Sequence, residues 1–238
     1  MFSSNNNTFT MGLGKIRGLI AAGFVAALSL APATAGHDKP DIDELTYKIS
    51  RNDKSIGVHR VSYAQTETGV EIDIKIKVRV KIAFITAFRM DHKSREVWRE
   101  GELVSLEAET MRNRRKAMVA LSPVDGQYAL EVNGERILAP ENVLATSFTD
   151  THIWQTAGDL PVTLLDTVSG RLRPSVFRPH GAVTIEAAGR AIDTRHFTIV
   201  NDESGITTHE FWVDGAGDLV RANLVTFDGH AITYELSA

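Results

Sequence analysis

The chain has 238 residues, 43 % of them hydrophobic, with 26 Lys and Arg against 30 Asp and Glu and no Cys. Lack of cysteine excludes a disulfide framework, thiol catalysis and a lipid-modified cysteine anchor. The acidic balance argues against a nucleic-acid partner, and the length suffices for one sizeable core.

Lys15 and Arg17 form a short basic region, Gly18–Leu30 is apolar, and Pro32 leads into Ala33-Thr34-Ala35. That order is the pattern of a secretory signal peptide cleaved after Ala35, whether translation starts at Met1 or Met11. The apolar run is too short to cross a bilayer as a helix, so no membrane-spanning segment is expected after cleavage. Removal of residues 1–35 leaves 203 residues with 24 basic and 30 acidic side chains, a net charge of −6. The expected location is the periplasm.

Residues 36–43 are polar and read as a flexible lead-in to an all-β domain over 44–238. Leu45–Ile49 and Gly57–Tyr63 alternate around an Asn52-Asp53-Lys54 turn, and Glu67-Thr68-Gly69 turns into the clearest element of the chain. From Val70 to Ile82 every second residue is Val or Ile and every residue between is charged, which a strand alone resolves into a dry and a wet face. Phe84–Met90, Arg95–Arg99 and Leu103–Thr110 read as further strands. Ala117–Leu121, Tyr128–Val132 and Arg136–Leu138 follow, joined by Asp125-Gly126 and Asn133-Gly134, dipeptides suited to tight hairpins. Pro140–Leu144 breaks the rhythm, with Pro140 at a plausible first helical position. Strand signals return at Val162–Asp166, Val176–Phe177, Val183–Glu186 and Ile192–Val200. The last three are Ile206–Val213, Leu219–Phe227 and Ala231–Leu236, with Asp228-Gly229 turning between the final pair. The fold class is all-β: one domain, a curved antiparallel sheet forming an open barrel or spiral, with at most one or two short helices.

Catalytic motifs are absent. No His-Glu-x-x-His pair unites His180, His196, His209 or His230, and His209 shares a strand face with Phe211 and Val213, as a packing histidine would. Asp214-Gly215-Ala216-Gly217-Asp218 lacks the ligand spacing of a calcium loop, and no Gly-x-Ser-x-Gly elbow occurs. No metal, cofactor or catalytic residue is assigned. Carboxylates such as Asp159, Asp166 and Glu186 leave an envelope hydrolase as one alternative, and the alternating strand leaves an outer-membrane barrel as another.

Two side-chain sets point to binding. Phe84, Phe88, Trp98, Trp154 and Trp212, with Phe177 and Phe211, are aromatics able to line a concave sheet as a pocket for lipid or another apolar envelope ligand. Lys77, Arg79 and Lys81 on the long strand, with Arg112, Arg114, Arg115 and Lys116 around Asn113, form a basic face for an acidic partner.

Three strings carry a resemblance. They are Ser55-Ile56-Gly57-Val58-His59, then Glu96-Val97-Trp98-Arg99-Glu100-Gly101-Glu102-Leu103, and Glu210 to Arg221 with Trp212-Val213-Asp214 and Gly217-Asp218-Leu219-Val220 at its heart. With the signal peptide, they resemble an uncharacterised family of exported proteobacterial β-rich proteins. These are similar in broad shape to periplasmic lipoprotein carriers and envelope-integrity proteins. The resemblance implies an open barrel or spiral and no activity. The expected function is therefore non-enzymatic: a soluble periplasmic protein that binds an apolar or envelope ligand, or a protein partner.

Overall fold

A computed structural model describes residues 44–237 apart from 83 and 226–229. The expected signal peptide, the 36–43 segment and the Asp228-Gly229 turn lie outside the described residues. Fifteen strands follow one another: β1 (Glu44–Arg51), β2 (Lys54–Thr66), β3 (Gly69–Ile82), β4 (Ile85–Arg99), β5 (Glu102–Arg112), β6 (Arg115–Val124), β7 (Gln127–Val132) and β8 (Glu135–Ala139). Then come β9 (Val143–Ala145), β10 (Leu160–Asp166), β11 (Arg171–Ala187), β12 (Arg190–Asn201), β13 (Thr207–Asp214), β14 (Leu219–Val225) and β15 (Ala231–Leu236).

They make one sheet in the order β8-β7-β6-β5-β4-β3-β2-β1-β15-β14-β13-β12-β11-β10-β9. The result is a nearly closed barrel with one unsealed seam, between the free edges of β8 and β9. Neighbours are antiparallel except β9 and β10, which run parallel and need the crossover segment 146–159 to join them. The first and last strands pair directly, Tyr47 opposite Leu236 and Ile49 opposite Tyr234.

β3 behaves as its pattern demands. Ile72, Ile74 and Val78 are buried, with Leu45, Tyr47 and Val61 packed beside the first two, while Lys75, Lys77 and Lys81 point to water. A membrane barrel needs the opposite polarity, apolar outward. The outer-membrane alternative is therefore not supported. Among the described residues no helix is long and apolar enough to cross a membrane.

Three expectations are corrected. Phe84–Met90 and Arg95–Arg99 belong to one strand, β4, whose inward side carries His92, Ser94 and Glu96 where apolar residues would have shown the alternation. Val176–Phe177 and Val183–Glu186 likewise merge into β11, whose pairing to β12 slips at a bulge after Pro179. Pro140–Leu144 holds no helix; Val143–Ala145 is a strand, and the one helical turn among the described residues is a 3₁₀ turn at Ile153–Gln155. The Asp-Gly and Asn-Gly turns are as read: Asp125, Gly126, Asn133 and Gly134 all have positive φ.

Candidate functional site

The crossover segment plugs the barrel with its own side chains. Trp154, on the 3₁₀ turn, is 2 % exposed and packs its ring 5.3 to 5.8 Å from those of Phe177, Phe197 and Phe211. Phe148 lies 4.4 Å from Phe211 and adopts φ +54°, a conformation an aromatic residue holds only under restraint from its surroundings.

The segment is latched to β4 through Glu96. Glu96 is fully buried; Trp98 Nε1 donates to its Oε2 at 3.0 Å, and Thr149 Oγ1 donates to the same oxygen. Ser147 lies against this carboxylate without reaching hydrogen-bond geometry, and Oε1 has no partner. Burial pushes the Glu96 carboxyl above its ordinary range, with those donors working against the shift. At the β4–β5 turn, Gly101 (φ +83°) accepts the His152 ring so closely that a Cβ would lie 2.5 Å from it.

Between the latch and β1–β2 lies a cavity lined by Tyr47, His59, Val61, Tyr63, Ser147, Phe148, Thr149, Thr151, Gly217 and Leu219. It offers about 20 Å³, the room of a single water. All three strings singled out in the sequence meet here: His59 from the first, Glu96 through Thr149 from the second, Gly217 and Leu219 from the third. Gly57, in the first of these strings, lets β2 lie close against β3, since a Cβ there would strike the Lys77 carbonyl oxygen at 2.2 Å.

Three imidazoles face inward. His59 sits 5.3 Å from the Tyr47 ring and 5.6 Å from that of Tyr234, with neither nitrogen hydrogen-bonded, and burial lowers its pKa to about 3. His92 bonds Thr110 Oγ1 at 2.8 Å, His209 bonds Thr208 Oγ1 at 2.9 Å, and burial lowers each pKa to about 4. They are neutral packing groups at physiological pH. No group of three His, Asp or Glu that could hold a metal ion occurs among the described residues.

The outer surface differs. Lys77, Lys81, Arg112, Arg114 and Arg115 are exposed, and none has an ion-pair partner among the described residues. Arg79 and Lys116 are engaged instead. Arg79 donates to Asp91 Oδ1 at 2.6 Å and to the Val78 and Met90 carbonyls at 2.7 and 2.9 Å, and Lys116 pairs with Glu109 at 3.0 Å. Asp91 also accepts from Arg89 Nε at 3.0 Å, and the Arg79 bond leads in holding its carboxyl below the usual range. Asn113 accepts Arg89 N–H at 3.0 Å and returns its own N–H to the Arg89 carbonyl at 2.7 Å, so the β5–β6 turn is tied to β4. The register sets Lys75 opposite Lys93, like charges that repel across a ladder, while Arg79 and Arg89, also opposite each other, share Asp91 between them.

Of the seven aromatics named from the sequence, Trp154, Phe177 and Phe211 meet in the core, and the other four do not join them. Phe84 is fully exposed at the β3–β4 tip, Phe88 is half-buried below it, and Trp98 is half-buried at the Glu96 latch. Trp154 is core. Trp212 lies on the outer face, 5.0 Å from His196, whose other side stacks on His180 at 4.8 Å while its Nε2 meets Glu210 Oε1 at 2.9 Å. Sequence reasoning missed Glu96, Thr149 and Asp91; the signal available for Glu96 was its carboxyl two residues from a tryptophan on one strand face.

One solved structure shares the fold. A β-barrel-like protein of the domain of unknown function DUF1849 from Brucella abortus superposes with a TM-score of 0.60 at 9 % identity, over 81 % of this chain and 94 % of that one. A DUF1089 family protein from Pseudomonas aeruginosa gives a TM-score of 0.43 at 12 % identity, over 68 % of this chain and 87 % of that one. No curated protein matches. The family model that matches describes a domain of unknown function, DUF6134, and spans residues 47–237, from the first strand of the barrel to the end of the last; the chain belongs to that family.

Proposed function

We propose that the chain is an exported, non-enzymatic binding protein of the periplasm that works through its outer surface, holding an acidic partner of the cell envelope against the basic face of β3–β6. One observation carries the reading: five exposed cations without ion-pair partners among the described residues stand at one end of a protein whose net charge is −4. A face that keeps Lys75 opposite Lys93 accepts repulsion that an anionic partner relieves. The cavity beside the latch is a poorer binding site, since its volume of about 20 Å³ admits no acyl chain.

The test is retention on immobilised polyglutamate at neutral pH and low salt. The wild-type protein binds despite its acidic balance and elutes as salt rises; Arg112→Glu with Arg114→Glu and Arg115→Glu flows through. Flow-through of the wild-type protein, or equal retention of the triple variant, overturns the reading.

A further inference from the structure

Beyond Val78 and Met90 the β3–β4 hairpin stands clear of the barrel. β2 pairs with β3 only as far as Gly57 opposite Val78, and β5 pairs with β4 only as far as Arg112 opposite Met90. From Arg79 on β3 and from Phe88 on β4 to the tip, the two strands therefore have only each other in the ladder, a free ribbon whose four β3 residues extend it by ~13 Å. Its base is clamped by Arg79, whose guanidinium holds two carbonyls and Asp91.

The composition of the ribbon runs against its exposure. An isolated two-stranded ribbon in water is marginal and usually carries polar tips. This one ends in Phe84, fully exposed, and Ile85, 74 % exposed. Lys81 stands beside them, Arg89 and Lys77 lie further down, and Arg112, Arg114 and Arg115 are held level with Arg89 by the Asn113 bonds. Met111 and Met118, also exposed, continue the apolar component onto β5 and β6. An apolar point with a collar of cations set back from it is the chemistry of a bilayer surface: hydrocarbon just beneath, phosphates at the height of the collar. An acidic protein groove would have to enclose a convex tip on every side. A membrane takes it without any matched shape.

We propose that the β3–β4 ribbon is a membrane-docking finger, with Phe84 and Ile85 entering the head-group region of an anionic bilayer and Lys77, Lys81, Arg112, Arg114 and Arg115 contacting lipid phosphates. This deepens the proposed function and rests on it, naming the acidic partner as lipid.

The absence of cysteine makes the test clean. Protein recovered from expressing cells, its N-terminus fixed by mass spectrometry, receives one Phe84→Cys substitution labelled with an environment-sensitive dye; Ile137→Cys on β8 serves as control. Vesicles of phosphatidylethanolamine and phosphatidylglycerol are added, and separately vesicles of phosphatidylcholine alone. Expected are a blue shift of the dye at position 84 with anionic vesicles only, no shift at position 137, and at least tenfold weaker flotation of Phe84→Ser with Ile85→Ser. That double variant keeps its thermal unfolding midpoint and its retention on polyglutamate. A dye at position 84 that stays in water, or a double variant that floats like wild type, overturns the finger. Retention on polyglutamate without vesicle binding also overturns it, leaving an acidic protein as the partner. Loss of both kinds of binding fails the broader reading.

Discussion

Trp154 and Phe84 are large aromatics in segments without regular pairing, and the molecule uses them in opposite ways. Trp154 rides on a crossover that turns into the barrel, where three phenylalanines close on it. Phe84 rides on a ribbon that leaves the barrel and meets nothing. The difference lies in the strands feeding each segment. A parallel β9–β10 pair forces its connection back across the sheet, whereas an antiparallel hairpin longer than both neighbours projects outward. An apolar residue on a loop therefore says little until the lengths of adjacent strands are known.

The comparison can be broken at either end. The largest effect belongs to Trp154→Ala, expected to cost ~3–5 kcal/mol in guanidinium unfolding, because it empties the centre of the plug. A loss under about 1 kcal/mol would mean the crossover does not sustain the core. Glu96→Ala strands the Trp98 N–H and the Thr149 hydroxyl and should cost about 2–3 kcal/mol. Glu96→Gln keeps an acceptor and drops the buried charge, so it should unfold at a higher denaturant concentration than Glu96→Ala, and no lower than wild type at pH 8. Equal midpoints for the two variants would dissolve the latch.

His59 supplies a pH axis. The unfolded imidazole takes its proton near pH 6.5 and the folded one only near 3, so acid favours the unfolded chain. Its contribution is whole above pH 6.5 and is lost progressively as pH falls toward 3; His92 and His209 act in the same direction down to about 4. Glu96 opposes them, since a raised carboxyl pKa loses stability as pH rises. His59→Phe should retain the stacking with Tyr47 and Tyr234 and, relative to wild type, gain about 2 kcal/mol between pH 7.5 and pH 5. Parallel stability curves for the two proteins over that range would contradict the buried neutral state. The smallest effect is Phe84→Ser, within about 0.5 kcal/mol of wild type, as a side chain without neighbours requires.

What the sequence revealed depended on whether the explanation was local. The Val70–Ile82 alternation is read within a few residues of itself, and so are the Asp125-Gly126 and Asn133-Gly134 turns. β4 was split because His92, Ser94 and Glu96 occupy its inner face, and each is satisfied or enclosed by partners from distant chain: Thr110 for His92, Thr149 for Glu96. The two pieces Val176–Phe177 and Val183–Glu186 are one strand because Pro179, between them, is accommodated at a bulge in the pairing with β12. Of the basic residues, all seven were named from the sequence. That Arg79 is consumed at the base of the ribbon was not legible, because Asp91 comes from the returning strand.

The direct pairing of β1 with β15 has a consequence for how the molecule comes into being. Tyr47 finds Leu236 only after β2 to β14 have all been made, so this pairing is fastened through the longest loop of any neighbouring pair in the sheet. Synthesis from the N-terminus cannot close it early. Until β15 arrives, β1 presents a bare edge and the Ile49–Tyr234 contact does not exist, so a growing chain stays open until that strand is made. A stop codon before Ala231 would leave the barrel with a second gap opposite its natural one.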